Sequence, residues 1–179
     1  MLLDRTDDKT PAELRCRAVL FLCSIYALRG IEVRNLKITD FDWVNERFVV
    51  RRAKRGPVQQ FPIQYETGEA ILRYLRFGRP QCDSPHLFVA LNSPFRPVGK
   101  NVLGDLVRRR LQSLKIESTH YGTHALRHSC ATQLVRRGSS LVDIAAFLGH
   151  RNIESVSTYA KLDTRSLRQV ANFSLAGLR

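Results

Sequence analysis

The chain has 179 residues, 44% hydrophobic and 25% charged, enough for one domain with its own core and too few for two ordinary ones. Lys and Arg outnumber Asp and Glu by 29 to 16, and a net charge of +13 points to a polyanionic partner, most commonly nucleic acid. No apolar run approaches the roughly 18–20 residues of a membrane span, and the Met1-Leu2-Leu3 start turns polar at once, unlike a secretory leader, so no membrane partner is expected and the cytoplasm or nucleoid is the implied compartment.

Residues 1–9 are polar and read as a flexible N-terminal segment. Thr10-Pro11-Ala12-Glu13 has the form of a capping box with proline at the first helical position, and so predicts a helix start. The helix that follows is apolar nearly all round, which places it at the centre of the core. Its end is expected at Arg29-Gly30, where glycine makes a left-handed turn cheap. A second short helix covers Ile31 to Ile38. The period then changes: Phe41 to Arg47 reads as a turn leading into a strand, Phe48 to Ala53. Lys54-Arg55-Gly56-Pro57 forms a tight turn, and Val58 to Ile63 returns with polar and apolar residues alternating. This β-hairpin carries Arg51, Arg52, Lys54 and Arg55 at its tip. Helical spacing resumes over Tyr65–Arg79 through Ala70, Ile71, Tyr74, Leu75 and Phe77. His86 to Val89 is a short extended piece among prolines. Val98–Leu114 reads as a helix with Arg108, Arg109 and Arg110 facing water or phosphates. Helices over 124–137, 140–148, 152–160 and 164–176 complete a mainly α fold with one small antiparallel β-sheet, an α+β class.

The four cysteines, Cys16, Cys23, Cys82 and Cys130, include no pair two residues apart, so neither a zinc knuckle nor a dithiol redox motif is offered and no metal is expected. Chemistry concentrates instead between Thr123 and Tyr159. His124 and Arg127 are three apart and share a helix face. Leu148-Gly149-His150 has the form of a helix end with glycine at the turn. Tyr159 follows nine residues later.

This set resembles the C-terminal catalytic motif of the tyrosine recombinases, the phage integrase family: H-x-L-R-H, then L-G-H, then a tyrosine. Two upstream features of that family have counterparts. Its T-G-L-R-x-x-E pattern matches Tyr26-Ala27-Leu28-Arg29-Gly30-Ile31-Glu32 at the arginine and the acid, with Tyr26-Ala27 departing from Thr-Gly. Its hairpin lysine, eight residues before a proline, matches Lys54 and Pro62. The resemblance extends from about residue 10 to 170 and implies a catalytic domain, 10–179. Most members carry an additional N-terminal helical domain, and its absence here is expected to mark either an excised catalytic domain or a short member like the fimbrial phase-switch recombinases.

The resemblance assigns catalytic roles to Arg29, Lys54, His124, Arg127, His150 and Tyr159. Two guanidiniums, Arg29 and Arg127, would grip the non-bridging oxygens of a phosphodiester. Tyr159 would attack, passing its proton to His124, while Lys54 protonates the leaving 5′-oxygen and His150 bonds the same phosphate. The phosphotyrosine conserves the energy of the broken bond, so no cofactor, neither ATP nor metal, is required. The partners implied are double-stranded DNA and other protomers assembled on it as a dimer or tetramer, with the amphipathic tail, 161–179, docking on a neighbour or folding back on its own core. Arg51, Arg52, Arg55, Arg108, Arg109 and Arg110 are expected to meet phosphates without reading bases. Each residue also has a plainer role: Arg29 beside a helix terminus, Lys54 in a solvated basic tip, His124 as a helix cap, His150 on a surface loop, Tyr159 half-buried. The alternatives to a site-specific recombinase are a type IB topoisomerase-like enzyme and a DNA-binding regulator with the fold but no strand transfer.

Overall fold

The structure is a computed structural model and describes residues 9–53, 57–116 and 121–149. It begins as the sequence predicts. Helix α1, Pro11–Ile25, opens with Thr10 Oγ1 accepting from the Glu13 N–H while the Glu13 carboxylate accepts from the Thr10 N–H at 2.9 Å. Every residue from Ala18 to Cys23 is buried, and α1 is packed against the elements that follow it on several sides. Burial pushes the Cys16 thiol up to about 11 and the Cys23 thiol up to about 12, so both stay protonated and inert.

The end of α1 differs from expectation. The helix stops at Ile25, and the left-handed residue is Ala27, at φ 50°, not Gly30. Ala27 keeps a side chain in that unfavourable position because its methyl is fully buried in a small cluster with Ala131, Ile144, Ala145 and Leu148. Gly30 is instead the first residue of α2, Gly30–Asn35, capped by Arg29 in extended backbone. It is needed for close approach, since a Cβ there would lie 3.1 Å from Thr123 Oγ1.

The sheet has three antiparallel strands in the order β1 (Phe41–Asp42), β2 (Arg47–Arg51), β3 (Val58–Pro62), with Phe48 opposite Phe61 and Val50 opposite Gln59. The hairpin was legible in the sequence, whereas β1, two residues long, lies inside what read as a turn. Tyr26 stacks edge-on against Phe48 at 4.9 Å, joining the inner face of the sheet to the end of α1. Helix α3, Tyr65–Arg73, runs into a π-turn, Tyr74–Gly78. That wider turn shifts the helical phase, and Phe77, spaced as a core residue, is 63% exposed under the Arg76 guanidinium. Helix α4, Val102–Ser113, starts later than the apolar pattern suggests, because Val98 is held in extended pairing with the Phe88 carbonyl. Then come α5, Thr123–Arg136, and α6, Leu141–Leu148, the latter capped by Ser140 and closed by Gly149 in the left-handed conformation. The helices expected over 152–160 and 164–176, the tail and most of the segment 1–9 lie outside the described residues. Among the described residues, no helix is long and apolar enough to cross a membrane.

Candidate active site

The N-terminal ends of α2 and α5 meet where Gly30 lies against Thr123, and this contact sets Arg29 and His124 on one cleft of about 570 Å³. Arg29 caps α2, and its side chain is 25% exposed, with Nη1 on Glu32 Oε1 at 2.8 Å. His124, in the first turn of α5, is exposed. Lys100, Arg108 and Tyr121 line the same cleft. The cleft is therefore basic, with Asp105 held by Arg108 at 2.8 Å. No sequence signal marked Lys100 or Tyr121, which reach the cleft only through the packing of α4 and α5.

Arg127 shares the helix of His124 but not its exposure. It is 3% exposed, with Nη1 donating to Ala27 O and Nη2 to Leu148 O, both at 2.6 Å. These described bonds tie the turn before Arg29 to the last turn of α6. Gly149 follows with φ 64°, as the helix-end pattern predicts, and the chain leaves α6 there toward position 150. His150, Tyr159, Lys54 and Arg55 lie outside the described residues.

Glu32 is the buried centre of this region. Its carboxylate accepts from the Arg29 N–H and Nη1, from Arg52 Nη1 at 2.9 Å and from the Ala53 N–H at 3.2 Å. Burial pushes the Glu32 carboxyl up, but the Arg29 N–H and the Arg52 charge outweigh it and hold the group below the usual glutamate range.

One expectation for a phosphate contact is corrected. Arg52 does not sit on a solvated tip: its side chain is fully buried against Glu32, the Phe147 carbonyl and the Gln59 side-chain oxygen. The reason is strand parity, because Phe48 and Val50 face inward on β2 and Arg52, just past its end, continues the alternation. The run Arg108-Arg109-Arg110 divides between two surfaces. Successive helix positions diverge, so Arg108 lines the cleft while Arg109 and half-buried Arg110 line a separate groove against α1, beside Ala12 and Cys16. Arg51 is exposed and paired with Asp40 at 2.8 Å. Among the described residues, no group of three or more His, Cys, Asp or Glu side chains could hold a metal ion.

Comparison with known proteins places this geometry. Residues 1–165 match the family model described as the phage integrase family. The Sinorhizobium fredii (strain NGR234) protein y4gC, which bears an integrase/recombinase name, is 42% identical over 172 residues, covering 96% of this chain and 88% of y4gC. Tyrosine recombinase XerA of Pyrococcus horikoshii is 31% identical over 157 residues, covering 87% of this chain and 53% of the relative. Among solved structures, a XerA recombinase superimposes with a TM-score of 0.77 at 23% identity, over 97% of this chain and 61% of that one. XerH site-specific recombinase, in a post-cleavage complex with its palindromic difH substrate, gives a TM-score of 0.78 at 20% identity, over 95% of this chain and 48% of that one. The chain thus spans most of y4gC but only about half of the Xer recombinases it matches. With a family model matched over nearly its whole length and the expected α fold with a small antiparallel sheet, the chain belongs to the phage integrase family of tyrosine recombinases.

Proposed function

We propose that this protein is a site-specific DNA recombinase that cleaves and rejoins duplex DNA through a covalent 3′-phosphotyrosine. The observation that carries this is the meeting of Arg29 and His124, from opposite halves of the chain, on one basic cleft. Membership of the family supports it. Arg29 and Arg127 are assigned to the non-bridging oxygens of the scissile phosphate, where preorganised cations act on the charge that develops during attack. Arg127 combines this role with its hold on the Ala27 and Leu148 carbonyls.

In the proposed reaction the Tyr159 phenolic oxygen bonds to phosphorus as the bond to the 5′-oxygen breaks. A phenol has an ordinary pKa of about 10, so its proton must pass to a neighbouring base, assigned to His124. Lys54 gives a proton to the departing 5′-oxygen, and His150 holds the phosphate by a hydrogen bond. The phosphotyrosine ester keeps the energy of the broken bond, so a 5′-hydroxyl of another strand reverses the chemistry without ATP or metal. Duplex DNA and further protomers on it are the proposed partners, and the nucleoid the proposed place of action.

Incubation with a duplex nicked just beside the cleavage point traps the intermediate, because the small 5′ fragment diffuses away. A denaturant-resistant protein–DNA adduct is expected from the wild type and none from Tyr159→Phe, with DNA binding retained by both. Binding without an adduct in the wild type would leave only a DNA-binding regulator. Relaxation of supercoiled DNA without exchange between sites would favour the topoisomerase-like activity.

A further inference from the structure

The last carbonyls of a helix have no partner inside it. In α6 three successive ones are met by side chains from elsewhere: Gln59 Nε2 donates at 2.6 Å to Ala146 O, which also accepts from the Gly149 N–H, Arg52 Nη2 donates to Phe147 O at 2.5 Å and Arg127 Nη2 to Leu148 O at 2.6 Å. Arg52 stands at the middle of this set. Its Nη1 is on Glu32, its Nε on the Gln59 side chain, and its guanidinium lies over the Phe61 ring at 5.3 Å. Glu32 in turn holds Arg29 and the Ala53 N–H. One buried cation therefore links the cap of α2, the outgoing end of β2 and the last turn of α6. In sequence these three places lead directly to Arg29, Lys54 and His150.

We propose that Arg52 is a positioning residue, which fixes the hairpin ahead of Lys54 and the end of α6 ahead of His150 in register with Arg29. The proposal rests on the catalytic assignments above. A buried ion pair is seldom a better stabiliser than an apolar side chain of the same volume, so stability alone gives little reason for an arginine here. What arginine adds is direction: a planar fork of fixed N–H donors that can hold a carboxylate and a carbonyl at set angles. The helix end is shaped to admit it. A Cβ on Gly149 would lie 2.6 Å from Arg52 Nε and 2.8 Å from Cδ, at a φ of +64° that already disfavours a side chain. Glycine at 149 thus serves the turn and also the passage of the guanidinium.

The test uses Arg52→Met, which keeps the volume without the fork, Arg52→Lys, which keeps the charge, and Gly149→Ala, which obstructs the guanidinium from the other side. The first readout is hydrogen–deuterium exchange of the free, full-length chain. Faster exchange is expected in both the hairpin, 51–60, and the end of α6, 145–149, in Arg52→Met and Gly149→Ala, with α1 unchanged. Exchange altered in only one of the two segments, or spreading into α1, overturns the proposal in favour of local packing or general destabilisation. The second readout is single-turnover cleavage of the nicked duplex alongside DNA affinity. Cleavage by Arg52→Met is expected to fall about a hundredfold, the scale for a catalytic group displaced by about 1 Å, with affinity unchanged. A bridging 5′-sulfur, which leaves without a proton, should restore part of the loss, and Arg52→Lys should fall between Met and wild type. Unchanged cleavage in Arg52→Met, or equal losses of cleavage and affinity, overturns the positioning role. If the wild type forms no adduct, the catalytic assignments fail, while the exchange experiment still decides whether Arg52 couples the two segments.

Discussion

Glu32 shows how much one buried carboxylate is asked to do. It holds four donors from α2 and the end of β2, and its carboxyl lies below the usual glutamate range despite burial. A depressed carboxyl contributes stability that is fully present above its unfolded value, about 4.3, and is lost as pH falls through the lower folded value. Glu32→Gln keeps the shape but leaves the Arg52 cation without its counter-charge, and at about pH 7 it should cost about 3–5 kcal/mol. The gap between wild type and variant should narrow as pH falls below the ordinary glutamate range, because the wild-type carboxyl then protonates too. Urea midpoints measured as pH falls check this, and a constant gap would mean that hydrogen bonding rather than charge holds the site. The sequence put Glu32 in register with Arg29, but it could not reveal the cation that Glu32 faces. Arg52 was nonetheless readable: its alternation with Phe48 and Val50 aims it inward, a signal masked by the basic residues around it.

At the scale of elements, local chemistry was legible and tertiary compromise was not. The start of α1, the hairpin and the Gly149 turn each follow from a few adjacent residues, and each is where the sequence puts it. The end of α1 is not, because the position of Ala27 is decided by residues of α5 and α6 far along the chain. The cleft was legible through Arg29 and His124, whereas Lys100, which the apolar pattern put inside a helix, and Tyr121 come from the segments just before α4 and α5. Helix α4 carries the clearest consequence. Its consecutive arginines point to two different grooves, so they should contribute unequally to the proposed DNA binding. Each phosphate neutralised adds about 0.9 to the slope of log affinity against log salt. Arg108→Ala should lower that slope by about 0.9, and Arg110→Ala should leave it unchanged within error. Titrations at several salt concentrations measure both, and equal losses would mean that DNA spans both grooves.

The described residues form a helical core around α1, with a smaller apolar cluster, centred on Ile144 and Leu148, joined to it through Phe147. The side chains that receive the end of α6 come from 87, 95 and 21 residues away along the chain. Closing such long loops is costly before the partners are in place, so α6 can settle only after the hairpin and α5 have formed. Contacts made after the folding barrier do not hasten folding, and their loss speeds unfolding. In a chevron experiment Leu148→Ala should therefore steepen neither arm but raise the unfolding rate, leaving the folding rate nearly as it was. A slowed folding arm would place α6 in the nucleus instead. The captured helix end thus acts as a latch on time: it governs how long the native state lasts once made, and has little say in how quickly it is reached.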